Sequence, residues 1–150
     1  MDNKMLLLAS EEAKNGVSAG DGGPFGAVIT DYEGNIICSG HNMVLKTNDP
    51  TAHAEIVTIR KACEILKTND LSNYKIYSSC EPCPMCLSAI IWSRIKVLYY
   101  GATREDASRI GFKDNDIYEY LDGKNNMIEK IRIKSDECEE VISNYDKEVY

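Results

Sequence analysis

Apolar positions along the chain recur at two spacings, one helical and one alternating, and the switches between them mark the elements. Leu6, Ala9, Ala13 and Val17 step by three and four, which predicts an amphipathic helix ended by Gly16 or Gly20. Beyond the glycine-rich run Gly20-Asp21-Gly22-Gly23-Pro24, the segments 25–32 and 36–39 flank Glu33-Gly34-Asn35 and read as a β-hairpin. Asp49-Pro50-Thr51 offers a cap with proline in the first turn, and Ala52, Ile56, Ile59, Cys63 and Leu66 follow as a helical stripe. A strand over 75–79, a helix over 83–92 and a strand over 96–100 give a β-α-β unit. A helix over 103–110, a turn at Gly111, a helix to Leu121, a strand over 127–133 and an irregular tail complete the expectation. The fold class predicted is α/β, a three-layer sandwich of helices on both faces of a mixed sheet.

Length and composition narrow the class. At 150 residues the chain is expected to form one domain, and the hydrophobic and charged fractions of 43% and 27% are those of a soluble globular protein. No stretch approaches the ~18 apolar residues of a membrane span. The apolar run Met5 to Ala9 is shorter than a secretory core and meets Glu11 and Glu12, so a cytoplasmic protein is expected. Six cysteines without an export signal, three of them clustered at Cys80, Cys83 and Cys86, suggest metal ligation rather than a disulfide framework. The net charge of −7 disfavours nucleic acid, because an acidic surface cannot gain the counterion-release term, and points to a small substrate.

His53, Cys83 and Cys86 are the residue types that zinc prefers, and three protein ligands leave a fourth corner for water, as catalytic sites require. Cys83 and Cys86 are three apart and share a helix face, each motif opening a helix whose positive end favours thiolate. Glu55, two residues from His53, is placed to take a proton from a zinc-activated water and return it to the leaving group. Two residues apart do not share a face in mid-helix, but the first turn can accommodate the pair.

His-x-Glu followed by Pro-Cys-x-x-Cys is the signature of the zinc deaminases of bases, and both halves stand here in order, Thr51-Ala52-His53-Ala54-Glu55 and Pro82-Cys83-Pro84-Met85-Cys86. Together with 22–29, Asn42, 48–55 and Gly111-Phe112 with Asp114, they make the chain resemble the bacterial guanine deaminases of the cytidine deaminase-like fold over about residues 10–121. The resemblance implies zinc as cofactor, hydrolysis of guanine to xanthine and ammonia, and base contacts by Asn42, Phe25, Ala54 and Asp114, with Asp114 also moving protons. It further implies a homodimer whose segment 115–150 is swapped between subunits, with Tyr150 closing the site. Lys113 departs from the acidic residue of that family.

Other readings compete. Cys80 could complete a closed structural Cys3His site, although Pro82 interrupts the turn between Cys80 and Cys83 and Glu55 would have no role. A redox dithiol needs only Cys83 and Cys86, and an iron–sulfur run would want a fourth cysteine where Ile90 stands. A tRNA adenosine deaminase shares both motifs, and cytosine or nucleoside deamination is a third enzymatic option. His41 reads as a solvated loop residue, Cys38, Cys63 and Cys138 as small buried groups, and Trp92 as core or interface.

Overall fold

In the computed structural model, which describes residues 1–150, strand β1 (Gly26–Asp31) is buried from Gly26 through Thr30. A strand hidden on both faces must lie centrally in a sheet covered above and below. It pairs antiparallel with β2 (Ile36–His41) across the predicted hairpin and antiparallel with β3 (Tyr74–Cys80) on its other side. β3 in turn pairs parallel with β4 (Leu98–Ala102), so the mixed sheet runs β2-β1-β3-β4.

Successive residues of the two central strands point to opposite layers. Val28 and Tyr77 pack with Met5 and Ala9 of helix α1 (Asp2–Ser18), whereas Ile29 and Ile76 pack with Ala62, Leu71, Ile90 and Ile95 on the other face. That second layer is built by α3 (Ala54–Leu66) and by α4 (Pro84–Trp92), the crossover between β3 and β4. The result is the expected three-layer arrangement. α1 approaches β1 so closely that a Cβ on Gly26 would lie 2.1 Å from the Ala9 carbonyl, which explains why glycine opens the strand.

Several local expectations are corrected. Gly16 lies inside α1, which runs on to Ser18, and Val17 is exposed; the buried stripe is Met5, Ala9, Ala13 and Gly16. The helix expected from Asp49 begins only at Ala54, with His53 as N-cap, because Asp49 Oδ1 instead accepts from the Thr51 amide and hydroxyl and closes a turn. A short helix α2 (Val44–Thr47) precedes it, unforeseen. His41 is not in a loop but ends β2, half-buried.

The C-terminal part departs most. After α5 (Arg104–Arg109) and α6 (Asp114–Leu121), residues 127–133 form no strand, since no neighbouring strand supplies ladder partners, and Ile128, Ile131 and Ile133 stand exposed. The tail is not irregular throughout: α7 (Asp136–Ser143) begins where Ser135 Oγ accepts from the Cys138 amide, with three acids in its first turn. Cys138 is exposed rather than buried, as is Trp92 at 68%.

Candidate active site

Two helix N-termini converge at the carboxyl end of β3, and the residues that begin them carry the chemistry. His53 and Cys83 are the N-caps of α3 and α4, both extended in backbone and neither using its side chain as a cap. An N-cap side chain turns away from the cylinder of its helix, which is why His53 and Glu55 can approach one site although they are only two residues apart. Cys83 and Cys86 stand in the N-cap and N3 relation, the two positions that reach toward each other across the first turn in a capping box. Proline at position 84 is pre-shaped for the first turn and needs no amide partner.

The geometry fits a single ion. His53 Nδ1 lies 3.5 Å from each of the Cys83 and Cys86 sulfurs, and all three donor atoms fall within 4.8 Å of one another. Bonds of about 2.05 Å to nitrogen and 2.3 Å to sulfur at a tetrahedral angle place the two donors about 3.6 Å apart. One N–H cannot point at two sulfurs at once, so a shared cation accounts for the pair of distances better than hydrogen bonding does. A hydrogen bond from the Cys86 thiol to the Cys83 sulfur draws the Cys83 pKa well down against the effect of burial, with His53 assisting; the same hydrogen bond and burial raise Cys86. The Cys83 sulfur in turn raises His53 despite its burial.

Cys80 stays outside this group. It is buried, its Sγ lies 3.5 Å from the Thr103 carbonyl oxygen, and burial pushes its thiol up to about 11. A fourth protein ligand is therefore not supplied, and the donor set is that of an open site.

Glu55 is only 6% exposed and is not among the grouped donors. Burial raises its pKa, opposed by a hydrogen bond from Ser78 Oγ to Oε1 at 2.7 Å. The Ser78 oxygen is equally 2.7 Å from the Cys80 carbonyl, and one hydroxyl proton can serve only one of them. Ser78 thus suits both states of the acid: it donates to the carboxylate, or turns to Cys80 when Glu55 carries the proton. Nothing in the sequence motif marked Ser78; the alternation along β3, which points it to the same side as Ile76 and Cys80, was the available signal.

A cavity of about 320 Å³ opens in front of these groups, lined by His53, Glu55, Cys83, Asn42, Phe25 and Asp114 among others. Asn42 is 4% exposed, and its Oδ1 accepts from the Val44 amide at 3.0 Å, leaving Nδ2 free to donate into the cavity. Phe25 meets Phe112 edge to face at 4.9 Å and forms an apolar wall. Asp114 opens α6, and burial together with the nearby Cys83 charge raises its pKa. α6 is fastened by Arg104, whose guanidinium lies 4.3 Å over the Tyr118 ring while its Nε is 3.4 Å from Glu81. Ala54 is fully buried and does not line the cavity, and Tyr150 is exposed at the chain end, away from it. A larger groove of about 670 Å³ lies behind Phe25 and Cys80, between α1 and α5, but holds neither the ligand group nor Glu55.

Comparison with known proteins agrees with this geometry. Residues 1–102 match the family described as the cytidine and deoxycytidylate deaminase zinc-binding region. The guanine deaminase of Bacillus subtilis is 54% identical over 117 residues, covering 78% of this chain and 74% of that protein. Its crystal structure superposes with a TM-score of 0.90 at 42% identity, covering 99% of this chain and 97% of that one. A guanine deaminase structure from Nitrosomonas europaea gives a TM-score of 0.70 at 34% identity, over 73% of this chain and 63% of that one. The tRNA-specific adenosine deaminase of Haemophilus influenzae is 35% identical, over 96% of this chain and 82% of that protein.

Proposed function

Because this chain belongs to the cytidine and deoxycytidylate deaminase zinc-binding family, we infer that it is a zinc-dependent aminohydrolase that converts guanine and water to xanthine and ammonia. The observation that carries the reading is the juxtaposition of an open three-donor group, His53, Cys83 and Cys86, with the buried, unligated Glu55 in one cavity. The likeness to a guanine deaminase is closer than that to tRNA deaminases, and the net charge of −7 opposes binding a polyanion.

His53, Cys83 and Cys86 would hold the ion, which when bound supplies the Lewis acidity that lets a water ionise near neutral pH. Glu55 accepts the proton of the attacking water as its oxygen bonds to the carbon that bears the amino group. The same carboxyl passes that proton to a ring nitrogen, then takes the second proton from the hydroxyl now on the carbon and delivers it to the amine, so that the carbonyl forms as the bond to nitrogen breaks and ammonia leaves. Asn42 donates from Nδ2 to an acceptor on the base, Phe25 stacks against its face and Asp114 contacts its edge and assists the proton transfers.

Residues 1–150 form a single catalytic unit that acts as a homodimer. The unpaired edge of β4 and the exposed Ile128, Ile131 and Ile133 support a swap in which segment 115–150 packs on a second copy and brings Tyr150 over the cavity. No helix is long and apolar enough to cross a membrane, and all six cysteines are unpaired, which supports a reducing cytoplasm.

Ammonia release from guanine, adenine, cytosine, their nucleosides and tRNA tests the assignment. Guanine is expected to be turned over with a kcat/KM well above the others; activity confined to tRNA or to a pyrimidine would refute it.

A further inference from the structure

His41, the last residue of β2, lies between two carboxylates. Its Nδ1 is 2.8 Å from Glu12 Oε2 on α1, and its Nε2 is 2.7 Å from Asp21 Oδ2 in the loop that follows α1. The other Glu12 oxygen accepts from Ser39 Oγ at 2.6 Å. Both ring nitrogens therefore face acceptors, whereas a neutral imidazole owns a single N–H and would set a lone pair against a carboxylate oxygen. Burial opposes the charge on the ring, but the bonds to Glu12 and Asp21 outweigh it and raise the His41 pKa above its ordinary value. Lys61 of α3 is a further charge nearby, bonded to the Ser39 carbonyl at 3.0 Å and adding to the Ser39 and His41 bonds that lower Glu12. α1 makes room for the ring at Gly16, where a Cβ would come within 2.6 Å of the imidazole.

Both ends of the Asp21–His41 bond lie one residue from the cavity wall. Asp21 leads into Gly22, and His41 into Asn42, and these two pack so closely that a Cβ on Gly22 would fall 2.1 Å from Asn42 Oδ1. The Asp21 carbonyl also accepts from the amides of Leu45 and Lys46, while Asn42 holds Val44. Val44 and Leu45 line the same cavity. His41 itself does not line it.

We propose that His41, as an imidazolium held between Glu12 and Asp21, is a positioning residue that keeps Asn42 and the Gly22-Gly23 wall in register for binding the base, so that substrate affinity rather than the chemical step depends on its charge. The inference rests on the purine deaminase reading above. Loss of the proton leaves one carboxylate without its donor, frees Asp21 or Glu12, and loosens the wall that Asn42 belongs to.

The test uses the zinc-loaded full chain, in which His41 and His53 are the only histidines. Proton–nitrogen correlation spectra are expected to show both His41 nitrogens protonated at neutral pH and to give its pKa directly. The KM for guanine is expected to stay level below that pKa and to rise about fivefold or more above it, with kcat not following. Glu12→Gln removes one of the two carboxylates and should shift the titration and the rise in KM to lower pH together, a coupling that a merely structural role would not produce. His41→Gln should raise KM and abolish this pH dependence. The base's own ionisation is the same in every variant and cancels in the comparison. A neutral His41 ring at neutral pH, a KM that is level through its pKa, or a rise that Glu12→Gln leaves in place would overturn the proposal. If His41→Gln does not fold, the wild-type and Glu12→Gln titrations still decide it. Absence of guanine turnover in the wild type would fell the functional reading and this inference with it, whereas normal turnover with a level KM sinks only the role of His41.

Discussion

Ser78→Ala isolates the support of the proton carrier without touching a metal donor. The Ser78 hydroxyl lies 2.7 Å from Glu55 Oε1 in a site where both residues are buried, so no solvent replaces the lost donor. A hydrogen bond to a charged acceptor contributes about 1.5–3 kcal/mol. At 1.36 kcal/mol per decade, kcat on the acid limb, where the ionised fraction of Glu55 limits it, should fall about ten- to a hundredfold. Burial already raises the Glu55 pKa and the serine chiefly opposes it, so the variant's carboxyl should titrate higher still. The sign follows from the role: a base must be ionised, activity climbs with pH through the Glu55 pKa, and the acid limb of kcat moves to higher pH. The assay is ammonia release from guanine across pH, with zinc content measured on the same preparations. Zinc at the wild-type level, with kcat within about twofold and an unmoved acid limb, would refute the reasoning.

Other outcomes follow from the same geometry. Cys80→Ser should keep its zinc and its activity, because Cys80 faces Thr103 and not the donor group; metal released on this change, measured by emission spectroscopy, would restore the closed-site reading. Arg104→Ala should raise KM by about three- to tenfold by releasing Tyr118 and with it the helix that begins at Asp114, and an unchanged KM would contradict that tether. The His41 cluster should also be visible in stability. His41 has a raised pKa, so its contribution is complete below about 6.5 and fades as pH rises through the folded value; Glu12 has a lowered one, so its contribution is complete above about 4.5 and fades as pH falls through the folded value. The excess stability of wild type over His41→Gln in urea unfolding, about 1–2 kcal/mol, should be largest between roughly pH 4.5 and 6.5, and a gap that grows toward alkaline pH would contradict this.

How much of this could be seen in the sequence depended on the range of the interaction. The three-donor group was legible because a metal demands particular atoms, and His53, Cys83 and Cys86, which the fold brings together, announce themselves by type and spacing. The hairpin and the β-α-β unit were legible because burial imposes a period on each element, as Val28/Ile29 and Ile76/Tyr77 show on the two central strands. The start of α3 was misplaced because Asp49 forms a local turn with Thr51, a use of aspartate that looks the same in sequence as an N-cap. Residues 127–133 have the apolar content of a strand, but a strand needs an edge to pair with, and they pair with neither free edge of the sheet, β2 or β4. Ser135 before three acids was a readable start signal for α7 that hydrophobic patterning overlooked. Ser78 and the Glu12–His41–Asp21 cluster join residues twenty or more positions apart, and no local pattern encodes such a pairing.

The central claim is that an unligated carboxylate beside a three-donor zinc site moves the protons of a hydrolysis. Guanine turnover by Glu55→Gln carrying one zinc per chain tests it most directly: the glutamine keeps the shape of the side chain and cannot accept the proton. The expected result is full zinc occupancy with xanthine formation reduced at least about a thousandfold. A near-wild-type rate at full occupancy, or loss of the metal on this change, would contradict it.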